Sequence, residues 1–142
     1  MVEENLAIVD LGSNSTRMAI TEIAPDGRFR EIKRVKENTR LSEGMGREKV
    51  LQKNAMDRTI AALKKFKKIY STVPNIQVRA ISTAAVRQAK NRQEFLNRVE
   101  NEVGIHLQVL SGKKRSILRL LRCHSDAQTQ PLFNFRCWWR KL

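Results

Sequence analysis

The chain opens with a short apolar run, Leu6-Ala7-Ile8-Val9-Asp10-Leu11, closed by Gly12-Ser13-Asn14-Ser15. A run of that length ending in small polar residues predicts a buried strand that enters a tight turn. Arg17 to Ile23 alternates as the returning strand, and Pro25-Asp26-Gly27 supplies the next turn. Phe29 to Leu41 alternates again and predicts a third, more exposed strand. These three segments predict an antiparallel meander.

The period then changes. From Arg47 to Tyr70 the apolar residues Val50, Leu51, Met56, Ile60, Leu63, Phe66, Ile69 and Tyr70 recur mostly three and four apart, with lysines and arginines between them. That spacing predicts a long amphipathic helix, ended by Pro74 and Asn75, whose basic residues form its solvated face. Val78 to Thr83 predicts a strand. Asn91 is placed to cap a second helix carrying Phe95, Leu96, Val99 and Val103, with Gly104 at its C-cap. Ile105 to Leu110 predicts a last strand that stops at Ser111-Gly112. The order βββαβαβ indicates an α/β fold with a mixed sheet and no internal repeats.

Composition narrows the function classes. The 142 residues suit one modest core. Lys+Arg 28 against Asp+Glu 14 gives a net charge of +14, which favours an anionic partner: polyphosphate, nucleic acid or an acidic membrane surface. No apolar run approaches the roughly 18–20 residues of a membrane span. Met1 to Asn5 is polar and acidic, unlike a secretory signal. Two cysteines, Cys123 and Cys137, are too few and too late for a disulfide framework or a paired-cysteine zinc site. The sequence therefore reads as a reduced, cytoplasmic protein with no membrane partner. Charge is unevenly placed: residues 113–142 hold eight Lys/Arg against the single acid Asp126, and both tryptophans, Trp138 and Trp139.

Asp10 to Thr16 is the most chemically loaded segment. A turn after a buried strand presents successive backbone N–H groups, and Gly12 permits close approach, so the turn can form a nest for phosphate oxygens. Ser13, Asn14 and Ser15 add uncharged side-chain donors. Asp10, at the strand's mouth, is a candidate to hold Mg²⁺ through water, because hard cations take oxygen ligands. Taken alone, the same residues also suit an ordinary polar hairpin.

Four segments occur together in a specific order: Ile8 to Ser15, Thr39-Arg40-Leu41-Ser42-Glu43-Gly44-Met45, Ser82-Thr83-Ala84-Ala85-Val86-Arg87-Gln88-Ala89-Lys90-Asn91, and Val109-Leu110-Ser111-Gly112. This set resembles the exopolyphosphatase / guanosine pentaphosphate phosphatase (Ppx/GppA) family of the actin-like ATPase superfamily. The first segment is shared across the superfamily; the middle two are specific to the narrower family. The resemblance covers residues 6–112. It implies a ribonuclease-H-like domain, one half of a two-domain cleft that removes terminal phosphate from polyphosphate or pppGpp with Mg²⁺, and homodimers for intact members. By that analogy Gly12, Ser13, Asn14, Ser15 and Arg87 bind phosphate, a guanidinium fork suiting the last role. Arg87 also reads as a surface arginine, and Arg40 is as readily structural as functional. His106 reads as a strand residue rather than a ligand.

Beyond Gly112 the family pattern expects Glu-Ala opening a helix, the Glu being the general base, and then a second phosphate loop of the type Asp-Val-Gly-Gly-Gly-Ser. Here Lys113-Lys114-Arg115-Ser116 follows, with Arg115 where the base belongs and no Gly-rich loop downstream. A guanidinium accepts no proton. Read one base later, permitted codons for Arg136 to Leu142 (CGA TGT TGG TGG CGG AAG CTT) give Asp-Val-Gly-Gly-Gly-Ser. Leu132 to Phe135 then becomes an apolar strand, and Arg115 to Arg119 becomes Glu-Ala-Tyr-Tyr-Asp. The expectation is a single-base frameshift near Lys113-Lys114 and early termination. Residues 1–112 are then an incomplete phosphate-binding domain, and 113–142 a shifted tail with no reliable domain. Two functions follow from this reading. One is a phosphoanhydride hydrolase of exopolyphosphatase type, catalytically impaired in this chain; the other is a non-catalytic basic binder of polyphosphate or nucleic acid, the latter only non-specifically.

Overall fold

The computed structural model describes residues 4–82 and 84–110. Strands β1 (Glu4–Leu11), β2 (Thr16–Ile23) and β3 (Phe29–Glu37) form the antiparallel meander. Helix α1 (Lys53–Tyr70) leads to β4 (Ile76–Ser82), which pairs parallel to β1 on the side away from β2. Helices α2 (Ala84–Gln88) and α3 (Arg92–Val103) lead on to β5 (Leu107–Val109), parallel to β4. The sheet order is β3-β2-β1-β4-β5, a mixed sheet as the sequence implied.

Register explains the core. Ala7 lies opposite Ile20 and Val9 opposite Met18, so these residues share one face of the sheet. Met56, Ile60, Leu63 and Phe66 of α1 and Phe95 and Val99 of α3 complete the same cluster, each at most 3 % exposed. The three-and-four spacing in α1 puts its apolar residues on one stripe, and burying that stripe is the main stabilising contribution. β3 lies at the sheet edge and is almost wholly exposed, including Phe29 and Ile32. A register shift between Ile20 and Thr21 leaves Ile32 as the extra residue of a bulge, a feature that protects edge strands from adding further partners.

Several boundaries differ from the sequence expectation. The third strand stops at Glu37, not Leu41, because Thr39 pairs by its hydroxyl with Thr16 at the start of β2 and Arg40 bonds Asn14 of the β1–β2 turn, instead of continuing the ladder. The long helix begins at Lys53, not Arg47: Lys49 has a φ of 53°, which a right-handed helix does not admit. Val50 and Leu51 continue the apolar spacing but precede the helix, and Leu51 reaches the core from a loop. A separate short helix, α2, appears between β4 and α3, so the order is βββαβααβ. β4 begins two residues earlier than expected, and β5 keeps only Leu107–Val109 of the Ile105–Leu110 segment.

Asn91 does sit at the N-cap position of α3, but its side chain caps nothing there. Its Oδ1 accepts from the Leu51 N–H at 2.9 Å, and its Nδ2 donates to the Leu51 carbonyl at 3.1 Å. The side-chain amide thus imitates a strand partner for one residue of the loop before α1. Gly104 ends α3 in the left-handed conformation, its N–H donating to the Glu100 carbonyl, as the C-cap reading requires.

Candidate functional site

Parallel pairing sets the location. Leu11, Ser82 and Val109 are register partners across β1, β4 and β5, so the segments after these strands leave the sheet along one edge. In sheet order β1 lies between β2, its hairpin partner, and β4, to which the chain returns after α1. The turn Gly12–Ser15 lies at the carboxyl end of β1.

The turn is tightly built. The Gly12 N–H donates to the Ser15 carbonyl at 3.0 Å, and a Cβ on Gly12 would stand 2.8 Å from that same oxygen, so only glycine fits. Two other carbonyls of the turn point into the segment after β3. The Asn14 carbonyl accepts from the Arg40 N–H at 2.9 Å, while the Ser13 carbonyl accepts from both the N–H and Oγ of Ser42, at 3.0 and 3.1 Å. Below them the hydroxyls of Thr16 and Thr39 pair at 2.9 Å, both buried. Residues 39–44 therefore form a strap that holds the acceptors of the turn. Among the described residues, the N–H groups of Ser13, Asn14 and Ser15 have no backbone acceptor, and their side chains make no hydrogen bond. Peptide groups so arranged, acceptors taken and donors left over, suit an anion.

The strap is held in turn. Arg58 of α1 donates from Nε to the Thr39 carbonyl at 3.1 Å and from Nη2 to the Glu43 carboxylate. Gln52 donates to the carbonyls of Gly44 and Val50. At its far end, the Lys49 carbonyl accepts from the Lys90 N–H at 2.8 Å, next to the Asn91–Leu51 pair. One continuous segment thus joins the turn after β1 to the α2–α3 junction.

Arg87 belongs to α2 and is partly exposed. Its Nη1 donates to the Leu110 carbonyl at 3.1 Å, and the Leu110 N–H donates to the Ser82 carbonyl at 3.0 Å. These bonds hold Arg87 over the carboxyl end of β5, two strand spacings, or about 10 Å, from the end of β1. The remaining guanidinium N–H groups meet no acceptor among the described residues.

Asp10 lies one residue before the end of β1 and is buried, with Arg17 as its register partner across the ladder. Among the described residues no three His, Cys, Asp or Glu side chains gather into a metal cluster. Asp10 supplies a carboxylate of the type Mg²⁺ takes, an ion that keeps most of its waters and needs few protein ligands. His106 is exposed and precedes β5. Arg40 is exposed, with its backbone committed to the turn. Arg115, Cys123, Cys137, Trp138 and Trp139, with the reading of residues 113–142 as a shifted tail, lie outside the described residues.

The sequence names Thr16, Thr39 and Ser42 within motifs but assigns them no role, passes over Arg58, and gives Asn91 only a cap. The segment Thr39–Met45 stands out as a motif, but nothing local in it says that its amides reach back to residues 13 and 14. No described helix is long and apolar enough to cross a membrane.

Comparison with known proteins agrees with this fold. Solved structures with the same arrangement include the Ppx/GppA family member of Aquifex aeolicus, 34% identical, with a TM-score of 0.75, covering 80% of this chain and 37% of that one. A second structural study of an Aquifex aeolicus PPX-GPPA enzyme gives 34% identity and a TM-score of 0.71, over 77% of this chain and 36% of the other. An exopolyphosphatase from Cytophaga hutchinsonii is 30% identical with a TM-score of 0.76, covering 81% of this chain and 36% of its own. The chain thus spans little more than a third of the length of these relatives. The α/β fold with its mixed sheet is the actin-like ATPase fold that these structures share. The model of the Ppx/GppA phosphatase family matches residues 18–127. On the shared fold and this match together, the chain belongs to the Ppx/GppA phosphatase family.

Proposed function

We propose that this chain supplies the terminal-phosphate grip of a phosphoanhydride hydrolase of exopolyphosphatase type, with polyphosphate or pppGpp as the substrate class. One observation carries the reading: the strap takes the carbonyls of Ser13 and Asn14 and leaves the N–H groups of Ser13, Asn14 and Ser15 without backbone acceptors among the described residues. Gly12 allows the approach, and Ser13, Asn14 and Ser15 add side-chain donors. Arg87 meets the phosphate oxygens from the β5 end, where a fork of N–H donors matches two oxygens at once. Asp10 would hold Mg²⁺ through water, and the ion would neutralise charge on the phosphoryl oxygens.

Hydrolysis also needs a base to orient the attacking water. Arg115 occupies the position of the family's general-base Glu, and a guanidinium does not accept a proton. The reading is therefore a chain that binds terminal phosphate and hydrolyses it poorly or not at all. Titration of the full 142-residue chain with orthophosphate, followed by ³¹P line width or calorimetry, should give saturable binding. Ser13→Ala should weaken it roughly tenfold, the worth of one hydrogen bond to a charged group. Phosphate release from polyphosphate should stay at background. Release that survives removal of host phosphatases overturns the impaired state, and binding indifferent to Ser13→Ala overturns the assignment of the turn.

A further inference from the structure

Arg40 and Lys49 are the basic residues of the strap with a positive φ, and of the two Arg40 is the one whose N–H bonds the turn. It is exposed, its φ is 47°, and a residue with a Cβ adopts that left-handed conformation only at a cost. Its N–H donates to the Asn14 carbonyl at 2.9 Å, which fixes its backbone against the turn. The nearest carboxylate of the strap, Glu43, is engaged by Arg58. Among the described residues the Arg40 guanidinium has neither a hydrogen bond nor an ion pair. A long cation is thus held beside an anion-binding turn, in a strained backbone that glycine would adopt freely, with its local counter-charge removed.

We infer that Arg40 is a specificity-determining residue that binds the second phosphate of a linear phosphoanhydride whose terminal phosphate sits on the Gly12–Ser15 amides. The inference rests on the reading of that turn as the phosphate site. Strain kept at a site-adjacent residue is accounted for when its side chain contributes something glycine lacks, and a guanidinium reaching a bridging phosphate is such a contribution. Orthophosphate has no second phosphate, so its binding should not register Arg40. Tripolyphosphate binding should.

Arg40→Gly separates the two roles. It relieves the positive φ and keeps the N–H that serves Asn14, so the variant should melt no lower than the parent. Tripolyphosphate affinity of the full chain should fall at least about tenfold, the loss expected for a charge-assisted hydrogen bond, while orthophosphate affinity stays unchanged. Lys68→Gln, on α1 near the opposite end of the sheet, removes the same charge and should leave both affinities as they are. Equal tripolyphosphate binding by Arg40→Gly and the parent overturns the inference. So does an equal loss for both ligands, which would assign Arg40 to the shape of the turn alone. If the parent's binding of either ligand is untouched by Gly12→Ala, the phosphate site itself is misassigned, an outcome distinct from failure at Arg40.

Discussion

At Gly12 a single hydrogen separates a working turn from a broken one. The group an added methyl meets is the Ser15 carbonyl at 2.8 Å, a backbone atom that also accepts the Gly12 N–H and has no slack to give. Gly12→Ala should destabilise the chain by about 1–3 kcal/mol, as overpacking does. Orthophosphate binding should be lost altogether, rather than weakened as in Ser13→Ala, because the donors themselves move. Urea denaturation and phosphate titration of the same sample test both parts. Tyr70 offers a second, independent measurement at this scale. It is the only tyrosine in the chain and is 8 % exposed at the end of α1. Burial disfavours the phenolate and raises its pKa above the ordinary value of about 10. The folded pKa exceeds the unfolded one, so the stability Tyr70 contributes is intact below about pH 10 and is lost as pH rises through the folded value. Absorbance titration at alkaline pH should place its midpoint above that of a free phenol, with unfolding setting in over the same range.

At the scale of elements, the strap between β3 and α1 depends on groups distant in sequence. Asn91 replaces both backbone partners that Leu51 would have had in a sheet. Asn91→Ala leaves the Leu51 N–H and carbonyl partly buried without partners, so it should cost about 2 kcal/mol and speed hydrogen exchange at the Leu51 amide before the sheet amides respond. Amide exchange that changes evenly across β1, β4 and the strap would show that Asn91 acts on the whole core instead. The strap also marks where local reading stopped. Val50 and Leu51 fit the helical spacing, so the pattern predicts a helix from Arg47; the positive φ at Lys49 excludes it there. Periodicity reports which residues are buried, and a loop residue can be buried as fully as a helical one.

For the whole molecule the net charge of +14 competes with the site as an explanation of anion binding. The two separate by salt. Association of a nucleic-acid fragment through scattered lysines should fall steeply and linearly with the logarithm of salt concentration and ignore Gly12→Ala, as counterion release requires. Tripolyphosphate held by oriented amides should depend less on salt and respond fully to that substitution. A fluorescence titration at several salt concentrations distinguishes them, and a site reading predicts different slopes for the two ligands.

Much of this protein is set by neighbours in sequence. The alternation of β1 and β2, the stripe of α1, the glycine that ends α3 and the small polar turn after β1 each follow from forces acting over a few residues, and each was legible without coordinates. The candidate residues Asp10, Gly12, Ser13, Asn14, Ser15 and Arg87 were legible too, as types in an order. Their gathering on one edge was decided by tertiary structure. Leu11 meets Ser82, and Ser82 meets Val109, through a parallel register that no local pattern encodes. The Arg40 and Ser42 amides fix the carbonyls of the β1–β2 turn through hydrogen bonds that span more than twenty residues. Helical and strand periods arise from bonds between near neighbours; the orientation of a carbonyl depends on whichever distant donor the folded chain brings to it.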